Sequence, residues 1–62
     1  MYKYITFNRS LTYRINEQGV IEFRTYGNWF STSTTRNIST ETVKKITDKA
    51  STIGWGESAV IY

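Results

Sequence analysis

The chain has no cysteine, no histidine and no proline, and its one methionine is residue 1. Without cysteine there is no disulfide to brace the fold and no thiol nucleophile. Without histidine the usual side-chain base near neutral pH is missing. Ordinary zinc sites, built from both residue types, are excluded with them. Long apolar runs are absent too. No stretch approaches the roughly 18 residues of a membrane span, and "MYKYITFNRS" has no signal-peptide apolar core. A cytoplasmic location is the expectation, with no membrane partner.

Charge of either sign is modest. Eight Lys and Arg stand against five Asp and Glu, a formal net charge of +3. That excess permits contact with phosphates without demanding it.

What the chain does have is rings. Aromatic residues make up 16% of its 62 residues, a rich supply for so short a chain. A domain of this size buries only roughly 60% of its unfolded surface. Residues 1–62 therefore read as a single compact domain whose core must come from aliphatic and aromatic side chains. Oligomerisation is a further route to stability for such chains.

Register sorts those side chains. In "NEQG" (residues 16–19), Asn16 suits the first position of a type I turn and Gly19 the left-handed bulge that closes a hairpin. Ile15 then faces Ile21, Arg14 faces Glu22 and Tyr13 faces Phe23. Leu11, Tyr13, Ile15, Ile21 and Phe23 fall on one face. Thr12, Arg14, Glu22 and Arg24 fall on the other, with Arg14 and Glu22 as an opposite-charge pair. In "YGNW" a two-residue turn at Gly27 and Asn28 places Tyr26 opposite Trp29 and Thr25 opposite Phe30. Phe30 then joins the core face, and Tyr26 and Trp29 the outer one. The Ser/Thr tract 31–35 continues this strand. A three-residue loop after "YKYITF" sets Phe7 opposite Leu11 and Ile5 opposite Tyr13, leaving Tyr2, Tyr4 and Thr6 outward.

The helix has clear punctuation. Ser39 is its N-cap, Glu41 lies in the first turn, and Ile38 and Val43 have the spacing of a hydrophobic staple. Val43, Ile46, Ala50 and Ile53 form one apolar stripe, and Gly54 is a natural stop. "SAVIY" alternates as a final strand, expected beside the first. The fold predicted is α+β, ββββαβ, a small antiparallel sheet of order 5-1-2-3-4 with one helix on one face. In coarse layout, strands within 11–35 followed by a helix at 39–53 resemble the sheet-plus-helix DNA-binding domains of phage-type integrases. The likeness is one of topology; the extra first strand departs from it, and no residue motif is shared.

Catalysis is not expected. The five carboxylates, Glu17, Glu22, Glu41, Asp48 and Glu57, have no spacing that implies an acid and base pair. No glycine-rich stretch resembles a phosphate-cradling loop. The chain reads as a binding module with no metal and no cofactor.

The spare surface is the outer sheet face. Tyr4, Arg14, Arg24, Tyr26 and Trp29 are the candidate binding residues there, with Tyr2 beside them and Arg36 on a basic rim with Lys44, Lys45 and Lys49. Rings and arginines on an uncovered sheet suit nucleic acid, since bases stack on rings and Arg meets phosphate. The alternative is a protein–protein module, either a homodimer or a small phage-type inhibitor of a host protein. It would use the same face or the fourth strand at the sheet edge, because Tyr, Trp and Arg also dominate protein hot spots.

Overall fold

The computed structural model describes residues 1–8, 10–32 and 37–62. Its elements are β1 (Tyr2–Phe7), β2 (Leu11–Asn16), β3 (Ile21–Thr25), β4 (Asn28–Ser31), α1 (Thr40–Ala50) and β5 (Ser58–Ile61). The five strands form one sheet in the order β4-β3-β2-β1-β5. This is a small α+β domain with the predicted strand order.

Turn chemistry fixes the first two registers as the sequence implies. Asn16 Oδ1 accepts from the Gln18 and Val20 N–H groups at 2.9 and 3.0 Å, and Gly19 sits at φ 82°. Tyr13 pairs with Phe23, Arg14 with Glu22 and Ile15 with Ile21. Across β1 and β2, Phe7 meets Leu11 and Ile5 meets Tyr13.

The β3–β4 turn lies one residue earlier than expected. Tyr26 and Gly27 are the central residues, at φ 49° and 78°, both left-handed as a primed hairpin turn requires. Arg24 therefore pairs with Trp29, Phe23 with Phe30 and Thr25 with Asn28. Moving the turn by one residue shifts the cross-strand partners by two. Trp29 and Phe30 consequently keep their faces, while Tyr26 leaves the sheet for the turn. Phe30 is 38% exposed rather than core, because β4 is the sheet edge and little packs beyond it. Strand β4 ends at Ser31, and residues 33–35 of the expected strand lie outside the described residues.

The core sits between one sheet face and α1. Ile5 and Ile46 are fully buried, and Tyr13, Ile21, Phe23 and Ala50 complete the buried hydrophobic set. Leu11, Ile15, Ile38, Val43 and Ile53 pack around it. Ser39 caps α1, its Oγ accepting from the Thr42 N–H at 3.1 Å. The helix stops at Ala50, short of Gly54, because Thr52 and Ile53 turn their N–H groups back to the Lys49 and Ala50 carbonyls.

The direction of β5 corrects the all-antiparallel expectation. It runs parallel to β1, Tyr4 aligned with Ser58 and Phe7 with Ile61. The expectation took α1 to run back along β4. Instead, α1 crosses the sheet and ends beside the start of β1, where Lys3 Nζ donates to the Ala50 carbonyl at 2.8 Å. The Gly56 N–H then bonds to the Tyr2 carbonyl at 2.8 Å, so β5 starts at the same end as β1. The sheet is therefore mixed.

Candidate functional site

The sheet face opposite α1 carries no second layer among the described residues. Strand alternation delivers Tyr2 and Tyr4 from β1, Arg14 from β2, Glu22 and Arg24 from β3, and Trp29 from β4 to this face. Tyr2, Glu22 and Trp29 converge on the Arg14 side chain. The Arg14 guanidinium carbon lies 3.9 Å from the Tyr2 ring centre and 4.4 Å from that of Trp29. Its Nε donates to Glu22 Oε1 at 2.6 Å. The rings then touch one another, Tyr2 to Tyr4 at 6.2 Å and Tyr4 to Trp29 at 5.9 Å between centroids.

Geometry decides what each group can do. Arg14 and Glu22 side chains are only 17% and 23% exposed, so their charges neutralise each other beneath the rings. Arg14 thus holds rings rather than reaching outward. Its planar guanidinium suits this, since it stacks on a ring face while its edge donates to a carboxylate. Arg24 is exposed and forms no ion pair among the described residues. It is the available cation of this face, directly across from Trp29.

Of the predicted site residues, the structure brings Tyr4, Arg14 and Trp29 into one cluster and sets Arg24 at its border. Tyr26 stands apart at the hairpin tip, 99% exposed. Arg36 lies outside the described residues. On the helix, Lys45 approaches Glu41 at 3.4 Å, a loose surface pair, and Lys44 is exposed.

One constellation escaped the sequence reading. Lys3 Nζ donates to the Ala50 carbonyl at the end of α1, and its ammonium lies 4.7 Å from the Trp55 ring centre. It places a cation at the negative end of the helix dipole. The signal was present in the alternation. Tyr2 and Tyr4 point outward, so Lys3 must point toward the helix side, where a charge needs a partner.

The carboxylates are dispersed. Glu22 serves Arg14, and Glu57 accepts from the Gly54 N–H. Glu17 accepts a hydrogen bond from the Met1 ammonium, which holds its carboxyl below the usual carboxylate range. No three metal-ligating side chains cluster among the described residues. Nor is any described helix long and apolar enough to cross a membrane.

No protein-family model, curated protein or solved structure matches this chain.

Proposed function

We propose that the protein is a non-catalytic module that binds single-stranded nucleic acid on the outer sheet face. The observation that carries this reading is the strip Tyr2–Tyr4–Trp29, held in place by Arg14 beside the exposed Arg24. Rings fixed before binding lose little freedom when a base stacks on them. Stacking is tolerant of base identity, so the reading implies weak sequence preference. Arg24 supplies the phosphate contact, and Tyr26, apart at the hairpin tip, offers a further exposed ring. With so few free cations on the face, binding should depend on salt only shallowly, at about 0.7 logarithmic units per phosphate neutralised on a single strand.

A second reading draws on one specific feature. The Arg14–Glu22 pair makes the centre of the face electroneutral, and a neutral aromatic patch also suits a protein partner. Fluorescence anisotropy of a labelled oligo-dT of about a dozen nucleotides, a length that one small sheet platform accommodates, separates the two. Saturable binding that weakens with salt and is lost in Trp29→Ala supports nucleic acid. Absence of binding at low salt favours the protein reading.

A further inference from the structure

We infer that the protein pairs with a second copy of itself through the free edge of β5, the two strands running antiparallel across a two-fold axis. This does not rest on the nucleic-acid reading, since β5 lies at the opposite end of the sheet from Trp29.

The first observation is the backbone. The Glu57 and Ile61 carbonyls accept from the Tyr4 and Asn8 N–H groups at 3.1 and 2.9 Å. Alternation along a parallel ladder then turns residue 59 toward β1 as well. Ser58 and Val60 therefore point their N–H and C=O groups away from the sheet, where no described strand meets them. The β5 sequence, "SAVI", carries no proline, lysine or bulge to discourage pairing.

The second observation is the groove beside that edge. It measures about 400 Å³ and is lined by Val60, Ile61 and Tyr62 on the strand side and by Lys45, Asp48 and Lys49 of α1. A wall of one sign would point to a partner of the opposite charge. This wall carries both signs, and Lys45 and Asp48 lie three residues apart on one helix face. A two-fold axis brings Lys45 of each copy toward Asp48 of the other, so the surface is complementary to itself. Pairing centred on Val60 also sets Ser58 against the strongly exposed Tyr62 of the second copy. Each copy thereby gains burial that a 62-residue core lacks.

Sedimentation equilibrium from about 10 μM to 1 mM tests this, a range suited to a small interface. Val60→Pro removes only the outward N–H and leaves the β1 ladder whole. It should keep the fold by circular dichroism and weaken the dimer by roughly tenfold or more. Lys45→Glu and Asp48→Lys should each weaken it too, by repelling Asp48 and Lys45 respectively. An equimolar mixture of these two variants should recover the dimer as a heterodimer, since both cross-pairs are then opposite in sign. This charge exchange lies on the exposed helix surface and holds even if Val60→Pro fails to fold. Wild type that stays monomeric throughout, a dimer indifferent to Val60→Pro, or a mixture no tighter than its parts would overturn the proposal.

Discussion

The Arg14 guanidinium carbon lies 4.4 Å from the centre of the Trp29 ring, although β2 and β4 are separated by β3. Trp29 reaches this far because its cross-strand neighbour, Arg24, stays in solvent and leaves the space above β3 to the indole. Arg14, paired with Glu22 by register, is thus also occupied by two rings. Arg24, directly across from Trp29, is the arginine left exposed.

This division of labour is measurable. Arg14→Gln should destabilise the fold by roughly 3 kcal/mol, because it leaves the mostly buried Glu22 without its partner and removes two ring contacts. It should leave the salt dependence of oligonucleotide binding unchanged. Arg24→Gln should leave stability within about 0.5 kcal/mol of wild type and make the salt slope shallower by about 0.7. Thermal melts and anisotropy titrations at several salt concentrations read both effects.

Tyr26 occupies a left-handed turn position at φ 49° while almost wholly exposed. Such a conformation costs a non-glycine residue about 1–2 kcal/mol, and asparagine tolerates it better. Tyr26→Asn should therefore raise the melting temperature. If Tyr26 stacks on bases, the same substitution should weaken oligonucleotide binding. A variant that is both more stable and an equally good binder would show that Tyr26 has no role in recognition.

The core gives a graded pair. Ile46 is fully buried, and Ile46→Ala should cost about 2–5 kcal/mol, enough to unfold much of so small a domain. Phe30 is 38% exposed at the sheet edge, and Phe30→Ala should cost clearly less. Urea unfolding of the two variants side by side provides the comparison.

Lys3 ties the end of α1 to β1. Lys3→Met keeps the aliphatic stem but loses the bond to the Ala50 carbonyl and the charge at the helix end. A loss of about 1–2 kcal/mol is expected. Amide exchange should rise first at Ser51 and Thr52, just past the last turn of the helix.

How far the sequence leads depends on how local the determining forces are. Asn16, Gly19 and Ser39 act within their own turns, so the β2–β3 register and the helix start follow from them directly. The β3–β4 turn is harder. Gly27 can sit at either central position of a primed turn, and the sequence favours placing Asn28 at the other. The structure places Tyr26 there, a choice that brings Phe30 opposite Phe23, with ring centroids 6.0 Å apart. That is a tertiary preference overriding a local one. The direction of β5 was illegible for a similar reason. It follows from the path of α1 across the sheet, and that path ends where Lys3 meets the Ala50 carbonyl. In the candidate site, membership of the outer face was legible by alternation, whereas the closing of the rings around Arg14 depends on side chains from three strands.

On the proposed function, the outer face and not the helix contacts single-stranded nucleic acid. Amide and indole NMR spectra recorded during a titration with unlabelled oligo-dT test it residue by residue. Shifts should concentrate at Tyr2, Tyr4, Arg24 and the Trp29 indole N–H, with the exposed face of α1 unmoved. No shifts at low salt, or shifts confined to Lys44, Lys45 and Lys49, would contradict the account.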